Sequence, residues 1–211
     1  LFRGPSGWGE CAPFWDYDAR VSARWLRSAL ALATTPLPIV QREKVPLNVT
    51  IPVCEAEEVR RRINSHPGCY TAKVKVADDL DSLEQDIDRV RLTSEMLAER
   101  YGQKAAVRID ANRAWNVEQA AAALERLDLA AGAVGGLQYA EQPTRTVEEM
   151  ARLRTVTRVP LAADESIRLS EDPLAVRELD AADVAVLKVA PLGGIRPALD
   201  LVDQLGLPAV V

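Results

Sequence analysis

From residue 45 onward the sequence keeps one beat. A short apolar run is followed by a turn and then by a longer segment with apolar residues three and four apart. VPLNVTIPV (45–53), YTAKVKVA (70–77), AAVRIDAN (105–112), GLQYAEQP (136–143), VPLAADES (159–166), ADVAVLKVA (182–190) and LPAVV (207–211) have the make-up of strands. The intervening segments, 54–65, about 80–101, 116–130, one opening at Thr146, 172–179 and 193–206, have the make-up of helices. Asn116 is placed to cap one of them and Thr146, with Glu149 three residues on, another. Pro197 falls in the first turn of the last, where its missing N–H is tolerated.

Parallel strands need a crossover between neighbours, so strict alternation implies a parallel sheet covered by helices. An open doubly wound sheet and a (β/α)8 barrel both satisfy it. The open sheet usually carries a glycine-rich phosphate turn after its first strand. IPVCEAEE (51–58) stands there instead, and the chain contains neither GxGxxG nor GxxxxGK[ST]. The expectation is therefore an α/β fold of TIM-barrel type over 45–211. Residues 1–44 break the beat: they hold Trp8, Trp15 and Trp25, a helix expected at about 18–33, and the start of a proline-bearing linker. The 211-residue chain opens abruptly and stops inside its seventh strand, the outline of a piece of a larger barrel with part of a preceding domain.

Composition excludes several classes. The net charge is −5 and no basic cluster or basic helix face occurs, so no nucleic-acid partner is expected. No apolar run has membrane-spanning length. Three cysteines, Cys11, Cys54 and Cys69, without a CxxC, read as reduced thiols of a cytoplasmic protein. The single histidine, His66, precedes a proline at a helix end and reads as a surface residue without a partner, which removes a Ser-His-Asp triad.

Polar residues interrupt the strands in a pattern. Alternate residues of a strand share a face. Lys73 pairs in this way with Lys75, Arg108 with Asp110 and Asn112, Tyr139 with Glu141, Ala162 with Asp164, and Val186 with Lys188. In each case the charged group lies at or near the C-terminal end of its strand. In a barrel those ends meet at one mouth, where barrel active sites are built. Any one of these residues taken singly is more often a cap, a turn residue or a snorkelling side chain. Gathered together, they are too expensive to bury without a purpose. Three carboxylates at one point repel unless a cation intervenes, which points to a divalent metal on Asp110, Glu141 and Asp164. The oxygen-only donors suit Mg²⁺, with Mn²⁺ as the alternative. Lysines in a partly dry, cationic site lose protons more readily and become bases. Lys75 and Lys188, from the second and sixth strands, would face each other across the mouth, on either side of a substrate carboxylate.

The stretches AKVKVA (72–77), RIDAN with Trp115, YAEQP (139–143), AADES (162–166) and LKVAPLGG (187–194) resemble the enolase superfamily, in the branch related to muconate lactonizing enzymes. The resemblance implies a capping domain ahead of the barrel, Mg²⁺ and a small carboxylate substrate. It also implies a lyase reaction, a syn dehydration in menaquinone biosynthesis that proceeds by proton removal alpha to a carboxylate through an enediolate. Lys75 would then be the base and afterwards the acid. Lys188 would be a charge on the far face, and Lys73 would orient the carboxylate or tune Lys75. A racemase or epimerase of acylated amino acids or dipeptides, with Lys75 and Lys188 both moving protons, is the alternative. Asn112 and Glu165 are supporting candidates; strand alternation points Glu165 away from Asp164 and so out of the metal set. Gly193 and Gly194 read equally as a backbone approach to substrate and as the loop opening the last helix. Trp115 reads as packing.

Overall fold

The computed structural model describes residues 1–40, 42–78 and 82–211. Two short antiparallel strands, β1 (Phe2–Gly4) and β2 (Gly7–Gly9), lie against helix α1 (Ala19–Thr34). A seven-stranded parallel sheet follows, made of β3 (Asn48–Ile51), β4 (Thr71–Lys75), β5 (Ala106–Asp110), β6 (Leu137–Glu141), β7 (Leu161–Ala163), β8 (Val184–Val186) and β9 (Ala209–Val210). Its helices are α2 (Ala56–Ser65), α3 (Leu83–Tyr101), α4 (Val117–Ala130), α5 (Val147–Arg154), the single turns α6 (Glu165–Arg168) and α7 (Ala175–Glu178), and α8 (Ile195–Leu205). The expected start of α3 at residues 80–81, and linker residue Gln41, lie outside the described residues.

Spatial strand order decides between the two architectures. Each strand pairs with its predecessor in sequence, β3 through β9, with no reversal. A doubly wound sheet reverses at a switch point; a barrel does not. The fold is an incomplete (β/α) barrel.

Local chemistry sets the helix starts. Ser82 with Gln85, Asn116 with Gln119 and Thr146 with Glu149 form reciprocal capping boxes on α3, α4 and α5. Each satisfies two N–H groups that the helix leaves without partners, and loss of such a cap typically costs about 1 kcal/mol. The outer core lies between sheet and helices, with Ile51, Val74, Ile109 and Leu161 against Val59, Val90, Leu124 and Leu153. On the inner face Tyr139, Ala162 and Val186 form a separate small group, and the Arg108 guanidinium lies 5.0 Å from the Tyr139 ring centre. This is the shared face expected from strand alternation.

The strands are shorter than their apolar runs suggest. β7 ends at Ala163 and the chain turns directly into α6, so Asp164 and Glu165 are not alternating strand residues. β8 ends at Val186, and Lys188 stands on the turn beyond it. His66 is exposed, as expected, but its Nδ1 lies 2.8 Å from the Arg62 carbonyl oxygen, so it does have a partner.

Hairpin and helix α1 touch through glycine. A Cβ added at Gly9 would lie 1.8 Å from the Ala29 carbonyl oxygen, and one at Gly4 2.3 Å from that of Ala33. Neither strand can sit on α1 with a larger residue there. At the start of β7, Asp183 accepts from the Leu161 N–H at 2.8 Å and from Arg154 Nη2 at 2.7 Å, tying a strand to α5. Burial opposes the Asp183 charge. The hydrogen bonds from Arg154 and Leu161 overcome that and hold its carboxyl below the usual carboxylate range. A lowered folded pKa stabilises above the unfolded value and is lost as pH falls through the folded one. Asp183→Asn should therefore cost about 1–3 kcal/mol at pH 7. In urea denaturation the gap to the wild type should narrow as the pH is taken below about 4.

Candidate active site

The sheet register builds the site. Lys75 lies beside Asp110 and Asp110 beside Glu141, one row across β4, β5 and β6. Glu141 pairs with Ala162, two residues before Asp164. The row therefore sits at the C-terminal rim, with Asp164 just above it where β7 gives way to α6. All three carboxylates are buried, Asp110 and Glu141 at 1% exposure and Asp164 at 0%.

Ammonium and guanidinium groups neutralise them. Lys73 Nζ lies 3.2 Å from both Asp110 Oδ2 and Glu141 Oε2. Lys75 Nζ donates to Asp110 Oδ2 at 2.5 Å and to Asn112 Oδ1 at 2.7 Å. Asp164 is held from two sides, with Lys188 Nζ 2.6 Å from Oδ2 and Arg168 Nε 2.9 Å from Oδ1. Arg168 Nη2 also reaches Glu165 Oε1 at 2.9 Å, and Asn112 Nδ2 reaches the same oxygen at 3.3 Å. Because the chain becomes helical at Glu165, this residue turns into the cluster. The alternation argument that pointed it away does not hold. Its other oxygen, Oε2, is buried and has no hydrogen-bond partner among the described residues.

The charges act on one another strongly. Burial first, and then the charges of Asp110 and Asp164, push Glu141 up to about 7 against the pull of Lys73. Asp110 loses more by burial than it gains from any single neighbour, yet the hydrogen bond from Lys75 and the charges of Lys73 and Lys75 together hold it below its ordinary value. Lys73 stays charged. Burial works against its proton, but Glu141 and Asp110 outweigh burial and raise its pKa. A lysine so held suits the orienting role expected of it, not that of a base.

A single ion held by all three carboxylates was the expectation. Among the described residues no three acidic, cysteine or histidine side chains converge closely enough to hold one as they stand. Asp110 and Glu141 converge on one positive point, now the Lys73 ammonium, whereas Asp164 is drawn to Lys188 and Arg168. The chemistry nevertheless fits a hard divalent cation. The donors are all oxygen, a shared positive charge already sits between two of them, and burial together with the neighbouring acids makes Glu141 resist ionising.

The remaining candidates separate from this cluster. Gly193 and Gly194, at φ +90° and +133°, close the turn after β8 and open α8. Side-chain space at both is bounded by α1, by Arg27 and Ala31 respectively. Trp115 packs against the main core, and its backbone N–H donates to the Pro143 carbonyl. Arg168 and Tyr17, which completes the Arg168 contacts at 2.6 Å, were missed by sequence reasoning. The spacing of Asp164, Glu165 and Arg168 would have revealed the first had 164–168 been read as a helical turn.

A parallel barrel with acids and lysines along one rim defines a class, and comparison with known proteins agrees. Residues 55–206 match the enolase C-terminal domain-like family and residues 1–33 the enolase N-terminal domain-like family. The chain belongs to the enolase superfamily. It is 47% identical over all its 211 residues to the o-succinylbenzoate synthase of Mycolicibacterium smegmatis, covering 62% of that protein. It is 46% identical to the enzyme of the same name from Thermobifida fusca, covering 63% of it. The chain thus spans about three fifths of the length of these relatives. Among solved structures, an N-succinyl Arg/Lys racemase from Bacillus cereus superposes with a TM-score of 0.65 at 27% identity, over 80% of this chain and 44% of that one. A mandelate racemase/muconate lactonizing family protein from Azoarcus sp. EbN1 gives 0.67 at 26%, over 80% and 44%. Among the described residues no helix is long and apolar enough to cross a membrane.

Lys73→Met leaves Asp110 and Glu141 facing each other without their common ammonium. It should cost the metal-free protein about 3 kcal/mol. Urea denaturation at pH 8 with a chelator present reads this directly, and an unchanged midpoint would show that the bridge carries no stability.

Proposed function

We propose that the protein carrying this chain is an o-succinylbenzoate synthase. It would convert 2-succinyl-6-hydroxy-2,4-cyclohexadiene-1-carboxylate to o-succinylbenzoate by syn elimination of water, with Asp110, Glu141 and Asp164 holding Mg²⁺. The observation that carries this is the identity, along the whole of this chain, to enzymes of that name, joined to a rim that keeps Lys75 and Lys188 on different carboxylates. The bound ion supplies positive charge to the substrate carboxylate next to the carbon that loses its proton.

The chain's own residues do the rest. Lys75, in its neutral form, takes the proton from the carbon bearing the ring carboxylate. Its contacts with Asp110 Oδ2 and Asn112 Oδ1 fix where Nζ stands, and proton transfer needs such placement. The electron pair left on carbon expels the hydroxyl, and the Lys75 ammonium returns its proton to that leaving oxygen. Water departs, the ring becomes aromatic and Lys75 is neutral again. Lys188 stays charged on the far side, where it favours the negative charge that develops. Lys73, held protonated by two carboxylates, orients rather than abstracts.

A racemase acting on N-succinylated amino acids is the second reading, favoured by the Bacillus cereus structure and by the two lysines on separate acids. In the full-length protein Lys75→Ala should reduce dehydration by at least about 100-fold while calorimetry still finds bound Mg²⁺. Near-normal turnover in that variant would overturn the assignment of the base. Solvent deuterium entering both enantiomers of an N-succinyl amino acid, with no dehydration detected, would favour the racemase. Chelation of Mg²⁺ should abolish turnover, and restoring the ion should recover it.

A further inference from the structure

Asp164 has two oxygens with different fates. Oδ2 meets Lys188 Nζ, a flexible ammonium that is 44% exposed and free to change partner. Oδ1 meets Arg168 Nε, part of a rigid guanidinium with only 12% of its side chain exposed. That guanidinium is engaged on every side. Nη2 binds Glu165 Oε1, and Nη1 lies 2.6 Å from the Tyr17 hydroxyl. Tyr17 belongs to the stretch between the N-terminal hairpin and α1, remote in sequence from the barrel. Its ring packs 5.3 Å from Phe14 and 6.4 Å from Trp25, centre to centre. A second link lies alongside, since Arg24 of α1 donates to the Arg168 carbonyl at 3.2 Å and to that of Ser170 at 3.4 Å, at the C-terminal end of α6.

We infer that Arg168 is a positioning residue through which docking of the Phe14–Tyr17 stretch is coupled to the capture of a cation at the rim. This rests on the assignment of Asp164 as a metal ligand. Arg168 fixes Oδ1 and thereby aims Oδ2 inward, so that the carboxylate can exchange its lysine for an ion without swinging away. A partner that orients a ligating carboxylate commonly changes metal affinity 10–100-fold. Arg suits the task and Lys does not, because a planar fork can hold Asp164, Glu165 and a phenol at once. Coupling between two sites is reciprocal. Whatever steadies Tyr17 strengthens the ion's hold, and the ion in turn steadies Tyr17.

Two measurements on the full-length protein test this. Hydrogen exchange of the amides of residues 11–18, read with and without Mg²⁺, reports the docking. Titration calorimetry reports the affinity. The expected result is that Mg²⁺ slows exchange in 11–18 in the wild type. Tyr17→Phe, which keeps the ring packing and loses only the hydroxyl, should speed that exchange and weaken Mg²⁺ several-fold. Arg168→Met should weaken it about 10–100-fold, with Arg168→Lys recovering only part. Normal Mg²⁺ affinity in both Tyr17→Phe and Arg168→Met would overturn the inference while leaving the metal site intact. A wild type that binds no Mg²⁺ would overturn both. If exchange in 11–18 does not change on adding Mg²⁺, there is no coupling, whatever the affinities.

Discussion

Three buried carboxylates on one rim are the constraint around which this structure is arranged. Placing Asp110, Glu141 and Asp164 at 1% exposure or less would be prohibitive without positive charge against them. Lys73 and Lys75 of β4, Lys188 beyond β8 and Arg168 of α6 provide that charge. Strand register brings the first two acids together, and the abrupt change from β7 to α6 brings the third. The helices, caps and outer core hold that register, because a slip of one residue would send every rim group to the opposite face.

The balance of charge makes the site a poised one. Glu141 is pushed up to about 7, so the cluster is close to taking a proton in place of a cation. Lys73 lies between Asp110 and Glu141 and is held firmly protonated by them. A divalent ion would relieve the repulsion more fully than one ammonium does, since it brings twice the charge to oxygens that are already desolvated. The lysines are therefore both structural counter-ions and chemical groups, and their availability for chemistry follows from what else the carboxylates hold.

Much of this was legible in the sequence, for definable reasons. The β-α beat gave the barrel because parallel strands leave few alternatives, and the absence of a phosphate turn removed the main competitor. Alternation also placed Tyr139, Ala162 and Val186 on the inner face, below the charged tips. It failed where strands end. VPLAADES looks like an eight-residue strand, but only Leu161–Ala163 pairs as one, and beyond it the backbone is helical. Period-two reasoning therefore misdirected Glu165 and hid Arg168, three residues on. The protonation of Lys73 and the separate commitment of Asp164 were equally out of reach, because both depend on distances between side chains that no spacing along the chain records.

The account stands on a single ion shared by the three carboxylates, and Mn²⁺ makes that visible. Crystals of the full-length protein soaked in Mn²⁺ should show one anomalous peak at the rim. It should be touched by oxygens of Asp110, Glu141 and Asp164, with Lys188 withdrawn from Asp164 and Arg168 still on its other oxygen. A rim that stays without a peak in such crystals, with Lys73 and Lys188 still bridging the acids, would contradict it.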